Sequence, residues 1–390
     1  MKIKIKKIQF EGEKGIWVIL FFLSVASIIS IYSSTCSLAY RNKEGNTEYY
    51  LIQQLGFLLL GWFLAYHTHK LKPSHISKLS QLGIFVIIPI LLFTMIYGIS
   101  SRWLPFPIIN SFQPSELAKP ILLIFIARLI ANNQDTIKEF NTFKKVLTPI
   151  IITCSFIFIG NFSTTAILFS ASILVLYVGR ASMKHILLLG VVIIIFLGLL
   201  WITINKFPEV GRFGTWKSRI ESFLSPDSNG HDSAWQKNQA KIAVYNGGLF
   251  GKGAGKSTQR FLLPQAHNDF IFSIIIEEYG IFAGLFILSL YFAILIMAIQ
   301  ISLKSKTVFR KLTVFGISFI ISFQAMINMA VAVGLFPVTG QSLPLISLGG
   351  TSTVITLISF GIIQAISRSN TLDAIEQQKA ELDEQGNINE

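Results

Sequence analysis

Asp269 closes the polar stretch Leu263-Pro264-Gln265-Ala266-His267-Asn268-Asp269, and the apolar run Phe270-Ile271-Phe272-Ser273-Ile274-Ile275-Ile276 follows at once. A carboxylate left where a water-exposed loop meets hydrocarbon costs free energy, so it is read as functional by default. The chemistry open to it is proton abstraction. A helix N-terminus favours its charge while burial raises its pKa, and either balance leaves a base usable near neutral pH. Glu277 lies eight residues on, about 80° around a helix from Asp269, and Glu278 falls on the opposite face. Carboxylates so deep usually have a fixed partner, so this pair is read as structural hydrogen-bonding groups before catalytic ones.

Two further polar islands sit in apolar surroundings. The first runs from Asn110 to Pro120 and contains Gln113-Pro114-Ser115-Glu116-Leu117-Ala118-Lys119. Pro114 suits the first position of a helix, and Glu116 suits the positive end of its dipole. Lys119 is one turn beyond Glu116, so an intrahelical ion pair is the simplest reading. Pro120 denies an amide to the Glu116 carbonyl, and the opened backbone is tolerated at membrane depth only against protein or a wet cavity. The second island, Gly334 to Ser352, holds Pro337, Gly340, Pro344, Ser347, Gly349 and Gly350. Its prolines, glycines and hydroxyls exclude a simple lipid-facing helix and point to a broken segment lining the same cavity.

Residues 206–268 add cations. Arg212, Lys217, Arg219, Lys237, Lys241, Lys252, Lys256 and Arg260 are interleaved with Phe207, Phe213, Trp216, Phe223, Trp235, Tyr245, Phe250 and Phe261. Such a loop fits an anionic amphiphile, its phosphates on the cations and its tail in the bilayer. Each cation taken singly is more often a solvated anchor. Gly251-Lys252-Gly253-Ala254-Gly255-Lys256-Ser257-Thr258 imitates a nucleotide-binding P-loop, but Phe250 stands where that motif needs its first glycine. The amides of this turn could still cradle a diphosphate, although a flexible turn is the simpler reading.

The elements that must position these groups are membrane helices. Mean hydropathy is +0.59, 52% of residues are hydrophobic and 14% charged, which excludes a soluble domain of this length. Continuous apolar runs of spanning length exclude a β-barrel and give an all-α polytopic fold of about ten transmembrane helices. They cover roughly 15–35, 50–66, 80–99, 115–131, 148–161, 163–179, 185–205, 281–301, 313–335 and 351–367. Lysines and arginines crowd alternate short segments, among them Lys2, Lys4, Lys6, Lys7, Lys14, Lys70, Lys72, Lys138, Lys144, Lys145, Lys304, Lys306, Arg310 and Lys311. The opposite short loops hold only Arg41, Lys43 and Arg102. Both termini are therefore expected in the cytoplasm.

The chain then divides into a basic cytoplasmic N-terminus (1–14), transmembrane helices one to seven (15–205) and an extracytoplasmic loop (206–268). An interfacial segment with helices eight to ten (269–367) and a polar cytoplasmic tail (368–390) complete it. A helix over all of 269–301 would be about 50 Å long, too long for the bilayer, so 269–280 is expected in the outer interface with Asp269 capping or opening it. The tail is short and acidic, expected as unfolded chain or frayed helix.

Other classes fall away. The first apolar run is too long for a signal peptide and is read as a retained helix. Cys36 and Cys154, the only cysteines, lie too far apart along the spans for a disulfide, and no metal-binding spacing is present, so no metal ligand is assigned. The formal charge of +13 reflects the loop bias, and no nucleic-acid-binding motif accompanies it.

The sequence resembles the SEDS family of shape, elongation, division and sporulation proteins, the FtsW/RodA group. Gln113-Pro114-Ser115-Glu116-Leu117-Ala118-Lys119, Gly247-Gly248-Leu249-Phe250-Gly251-Lys252-Gly253, Leu263-Pro264 through His267, Asp269-Phe270-Ile271-Phe272 and Glu277-Glu278-Tyr279-Gly280 carry the resemblance. Gly334 through Gly340, Leu343-Pro344 and Ser347-Leu348-Gly349-Gly350 complete it in the family order. The resemblance implies a peptidoglycan glycosyltransferase that polymerises lipid II on the outer face of the cytoplasmic (inner) membrane. It places Asp269 at the essential aspartate, and Glu116 and Lys119 among functional cavity residues. It implies a class B penicillin-binding protein, a transpeptidase, as partner, with other divisome or elongasome membrane proteins. One departure is Asn161-Phe162-Ser163-Thr164-Thr165, where many relatives carry an acidic, proline-containing motif, so no acid role transfers there.

Hexosyl transfer from a lipid diphosphate needs one base at the acceptor hydroxyl and cations at the leaving diphosphate, without the second carboxylate of glycoside hydrolysis. Asp269 is the catalytic candidate. Glu116, Lys119, Arg212, Arg219, Lys252, His267 and Ser347 are candidate substrate contacts, with Glu277, Glu278, Gln113, Pro344, Gly349 and Gly350 in support. The residues name no definite cofactor, and a divalent cation, Mg or Mn, could bridge carboxylate and diphosphate. The Leu343–Ser352 wording and the polar tail look more like division (FtsW) than elongation (RodA) members. The rival reading is a flippase moving lipid II between leaflets, since broken spans and intramembrane charges also suit a transporter.

Overall fold

A computed structural model describes residues 10–105, 112–210, 212–224 and 232–388; Asn110 and Ser111 of the first polar island fall outside them. Among the described residues the chain forms fourteen helices. They are α1 (Lys14–Ser34), α2 (Cys36–Asn42), α3 (Thr47–Thr68), α4 (Pro73–Tyr97), α5 (Pro114–Asn132), α6 (Phe140–Gly160) and α7 (Phe162–Val178). Then come α8 (Met183–Lys206), α9 (Phe213–Leu224), α10 (Asp232–Gly247), α11 (Gln259–Leu262), α12 (Ile271–Lys304), α13 (Val308–Ala332) and α14 (Gly350–Ile388). Eight of them, α1, α3, α4, α6, α8, α12, α13 and α14, are long and apolar enough to cross a membrane.

The two other long apolar helices explain themselves. α7 has 17 residues, and α5 carries Glu116, Lys119 and Arg128. α5 packs against α4, α13, α7 and α6, so Glu116 and Lys119 meet protein instead of lipid. Its inner turns, from Leu122 to Ile130, bury Leu122, Leu123, Ile126, Ala127 and Ile130 completely. α14 packs on α3 and α12 on α13 around this centre. α8 differs: Ile204 is its one buried residue, and it meets the bundle sparsely, at α7, α9 and a few rings of α6. An apolar helix so exposed requires hydrocarbon around it.

Helix starts follow local chemistry. Pro73 and Pro114 open α4 and α5, where the missing amide costs nothing. Asn46, Asn161 and Thr307 cap α3, α7 and α13 by accepting from the amides of Tyr49 (3.1 Å), Thr164 (3.3 Å) and Arg310 (3.4 Å).

α12 is two helices. Gly280 has φ 82° and ψ 176°, dividing residues 271–279 from 281–304. A Cβ there would strike the Leu249 carbonyl, and the Ile281 amide has left the helix to donate to Gly248 O (2.9 Å). Glycine is therefore required, both for its left-handed backbone and for the close approach. The first half is packed on protein, with every side chain from Phe270 to Glu278 buried. One expectation is corrected: the N-cap position is Phe270 and no side chain caps this helix, so Asp269 lies one residue outside it.

The segment 206–268 is also more regular than a loop. α9 is fastened by Trp216 against Phe158, Phe162 and Phe213, and α10 lies on the first half of α12 with Ala240 and Ala243 fully buried. Ala, Gln and Lys dominate α10 and are strong helix formers, a signal masked in hydropathy by their polarity. The tail is corrected likewise. α14 continues as helix to Ile388, and Asp373 on it pairs with Arg310 (2.5 Å).

Candidate active site

The chain before α12 is held by its backbone, leaving the Asp269 carboxylate free. Asn328 Nδ2, on α13, donates to the carbonyls of Asp269 (3.0 Å) and Gln341 (2.7 Å). Ser347 Oγ donates to Asn268 O (2.8 Å), and the Leu348 amide donates to His267 O (3.0 Å). Residues 267–269 are thereby tied to the irregular segment 333–349. That segment is itself braced by the Tyr291 hydroxyl on Pro344 O and by Leu345, whose φ of 68° is a strained, left-handed value for leucine.

Asp269 Oδ1 is buried and has no hydrogen-bond partner. Around it stand guanidinium groups. A Cβ built on Gly340 would lie 3.6 Å from both Asp269 Oδ2 and Arg219 Nη2, so the two groups flank the same small space beside Gly340. Arg219 Nη1 is anchored on Thr339 O (3.2 Å). Burial raises the Asp269 pKa from 3.8 to about 6, against the opposing charges of Arg219 and then Arg102. Burial lowers Arg102 to about 10, with Arg212 acting in the same direction and Asp269 against it. Arg219 is also lowered by burial, Asp269 again opposing. Near pH 7 this leaves a carboxylate with a pKa close to the working range beside two cations that stay charged.

Two cavities meet here. One, of about 450 Å³, lies between α7, α8, α9 and residues 336–339. Arg102, Arg212 and Arg219 line it at one side, while Leu197, Leu200, Trp201 and Ile204 of α8 give the rest an apolar wall. The other, of about 190 Å³, is lined by carboxamides: Gln53, Gln113, Asn161, Asn268 and Gln341, with Trp103. Glu116, Gly349 and Gly350 complete its wall. Arg102 and Asn161 belong to both. Asp269 itself lines neither cavity, but its neighbours do: Asn268 and Gly340 line the small one, and Arg219, near its Oδ2, lines the large one.

The other sequence candidates are distributed unevenly. Lys119 is buried, paired with Glu116 (2.9 Å) and bonded to Gln324 Oε1 (2.6 Å), which excludes it as a free phosphate cation in this conformation. Arg212 reaches the large cavity with one nitrogen on the Gly160 carbonyl. His267 is driven down to about pKa 4 by burial, so it is neutral at pH 7 and supplies no charge for an anion. Ser347 has its hydroxyl spent twice, donating to Asn268 O and accepting from the Leu343 amide (2.8 Å). Gln113 donates to Ser115 Oγ (2.9 Å) and Pro344 accepts from Tyr291.

Lys252 moves furthest from its expected role. Its ammonium pairs with Glu277 Oε1 (3.0 Å), and the whole glycine-rich turn closes on the glutamate pair. Glu277 accepts from Ser257 Oγ (2.5 Å), Thr258 N (3.3 Å), Thr258 Oγ1 (3.1 Å) and Gln259 N (3.3 Å). Glu278 accepts from Ser33 Oγ on α1 and faces Arg260 (3.9 Å). The turn does cradle an anion, but the anion is the protein's own carboxylate, so Lys252 has no free charge for a diphosphate.

Arg102, Asn161, Gln341 and Asn328 were not among the sequence candidates. Arg102 had a signal, as one of few cations on the sparse side of the charge pattern. The other three are neutral amides whose importance depends on tertiary placement. Among the described residues no group of three or more His, Cys, Asp or Glu gathers to hold a metal. The Asp269 surroundings, one carboxylate facing two guanidiniums, fit a resident divalent cation poorly.

Comparison with known proteins agrees with this architecture. The model of the FtsW, RodA and SpoVE family, described as cell cycle protein, matches residues 13–372. The probable peptidoglycan glycosyltransferase FtsW of Trichlorobacter lovleyi is 29% identical over 365 residues, covering 91% of this chain and 93% of that protein. The one from Bacillus subtilis is 28% identical over 383 residues, covering 93% and 92%. Among solved structures, a chain from work on the structural coordination of polymerization and crosslinking by a peptidoglycan synthase complex superposes with a TM-score of 0.74 at 21% identity, covering 92% of this chain and 98% of that one. The rod shape determining protein RodA of Thermus thermophilus gives 0.67 at 20% identity, covering 92% and 97%. The chain belongs to the FtsW/RodA/SpoVE family of cell cycle proteins.

Proposed function

From that membership and the geometry around Asp269 we infer that the protein is a peptidoglycan glycosyltransferase. It polymerises lipid II into glycan strands at the outer face of the cytoplasmic membrane, in cell division. The observation that carries this reading is the Asp269 carboxylate, unpartnered at Oδ1, raised to a pKa of about 6 and near Arg219, among residues that line the two cavities. A purely structural carboxylate would be hydrogen-bonded, as Glu277 is.

In the reaction the acceptor hydroxyl oxygen attacks the anomeric carbon of the donor sugar. The bond from that carbon to the diphosphate oxygen breaks and its electron pair leaves with the diphosphate. The hydroxyl proton passes to Asp269, whose raised pKa makes it a better base than an exposed aspartate. Arg102, Arg212 and Arg219 neutralise the charge growing on the leaving diphosphate, in a site where water screens them little. The apolar α8 wall of the large cavity takes the beginning of the lipid tail. The cytoplasmic termini inferred from the lysine and arginine bias put this site on the outer face. A class B penicillin-binding protein is the partner that crosslinks the product.

The test uses purified protein, labelled lipid II and no other glycosyltransferase, with and without the transpeptidase. A glycan ladder made by the native chain and missing with Asp269→Asn supports the reading. No ladder from native protein in either condition overturns it.

A further inference from the structure

The two cavities differ in chemistry, and the difference assigns the two substrates. We propose that the small amide-lined cavity is the subsite for the acceptor's terminal amino sugar, and that the arginine-lined cavity holds the donor; this rests on the glycosyltransferase reading above.

Two residues that line both cavities, Arg102 and Asn161, carry buried polar atoms without protein partners, Arg102 Nε and Asn161 Nδ2, and Asp269 Oδ1 beside Asn268 is a third. Orphaned buried polar atoms are costly, so each calls for a ligand. Asn161 is 7% exposed and its orientation is fixed. Its Oδ1 accepts from the Thr164 amide (3.3 Å) and from Gln341 Nε2 (3.5 Å), which leaves Nδ2 buried without an acceptor. Gln341, 4% exposed, is itself held by Thr164 Oγ1 (3.0 Å). This is a built polar wall, with a donor that lacks an acceptor.

Carboxamides both donate and accept, which suits neighbouring sugar hydroxyls and an N-acetyl group, and the indole face of Trp103 suits the apolar face of a pyranose. The volume of about 190 Å³ suits one amino-sugar ring and leaves no room for a lipid tail. A donor has a further need that this cavity does not meet, several cations at its diphosphate. Arg212 and Arg219 line the large cavity alone, and Arg102 stands on the shared wall. Asp269 between them can take the proton of an acceptor hydroxyl entering from the amide side. The anomeric carbon then approaches from the arginine side, and the diphosphate departs away from the base. Asn161 would donate to a sugar oxygen where a carboxylate could only accept.

The test separates the substrates chemically. The donor is lipid II with its acceptor hydroxyl capped as a methyl ether. The acceptor is lipid II whose anomeric carbon is joined to phosphorus through carbon, so it has no leaving group. Only one tetrasaccharide can form, and the two concentrations are varied independently. Gln53→Leu and Trp103→Ala, which touch the small cavity alone, should raise the acceptor KM by about three- to tenfold, the worth of one hydrogen bond or one stack, with the donor KM unchanged. Arg212→Gln should do the reverse. Gln53 and Trp103 are both half-buried and sit on different elements, so either variant stands if the other does not fold. A rise in donor KM, an equal rise in both, or no change in either overturns the assignment. No tetrasaccharide from native protein would instead overturn the glycosyltransferase reading beneath it.

Discussion

The charge of Arg219 should be readable in the pH dependence of the reaction. Its Nη2 and Asp269 Oδ2 each lie 3.6 Å from the position a Gly340 Cβ would take, so the two are no more than about 7 Å apart. At about 5–7 Å and an effective dielectric constant near 20, the attraction is about 2–3 kcal/mol. Asp269 is half-buried by surface, so water from the cavity screens roughly half of this, leaving about 1–1.5 kcal/mol, or about one pH unit. In native protein the rising limb of kcat/KM should therefore centre near pH 6, where Asp269 gives up its proton. Arg219→Gln should move it to about pH 7, because losing the cation disfavours the carboxylate. The rate relative to its own alkaline plateau then falls about fivefold at pH 6 and by only a few per cent at pH 8.5. The plateau itself should also drop, since Arg219 is assigned to the diphosphate, whereas Arg219→Lys keeps the charge and should leave the limb near its native place. Single-condensation rates between pH 5 and 9 measure all three. A native profile flat through pH 6, or a limb that stays put in Arg219→Gln, would refute the reasoning.

Asp269→Asn should lower polymerisation by about 10²–10⁴-fold, the usual loss on removing a general base, while lipid II binding persists. Its folded pKa is raised, so the favourable contribution is complete below about 3.8 and is lost as pH rises through about 6; the neutral amide should then melt no lower than native at pH 8, and a marked fall in Tm would count against the burial argument. Lys119→Met should abolish most turnover by leaving Glu116 buried and unpaired, and Glu116→Gln with Lys119→Met should recover much of it if the two act as an ion pair; a double variant as inactive as the single would restore Lys119 as a substrate ligand. Gly280→Ala should destabilise by about 1–3 kcal/mol, because φ 82° suits only glycine and the added methyl meets the Leu249 carbonyl, and a thermal melt indistinguishable from native would show that the clasp is not rigid.

What could be read in the sequence was whatever is local. The break in α12 follows from its length against the bilayer, and the opening of α5 follows from Pro114, Glu116 and Lys119 in consecutive turns. Asp269 was legible because polarity changes abruptly beside it. Lys252 was misread because its partner is distant in sequence: Glu277 is brought under the glycine-rich turn only by the backbone approach of Gly251 and Gly280. Arg102 and Asn161 were missed for the same reason, since each becomes part of the site only where α5, α7 and the 333–349 segment converge. α10 and the end of α14 were missed because hydropathy sees polar residues where helix propensity sees good formers.

The distribution of polar groups through the bundle decides between polymerase and flippase. Both readings allow charges inside a helix bundle, but a transporter must offer them a path to both faces. Here the charged groups run from the two cavities through Glu116 to the Lys119–Gln324 contact, beside a void of only about 20 Å³ lined by Ile317, Ile320 and Ile321 together with Thr356 and Ser359. Beyond it α5 buries Leu122, Leu123, Ile126 and Ile130 against α13, with Val314 and Ile317 fully covered. A headgroup carrying two sugars and a diphosphate would have to part that apolar packing, exposing several large side chains at about 1.5–3 kcal/mol each. A polymerase needs no such passage. Its substrates arrive within one leaflet, past the sparsely packed α8, and its product leaves on the side where Asp269 stands. A site with open cavities at one end and a closely packed helix bundle at the other, its few polar groups small and neutral, suits chemistry on that face.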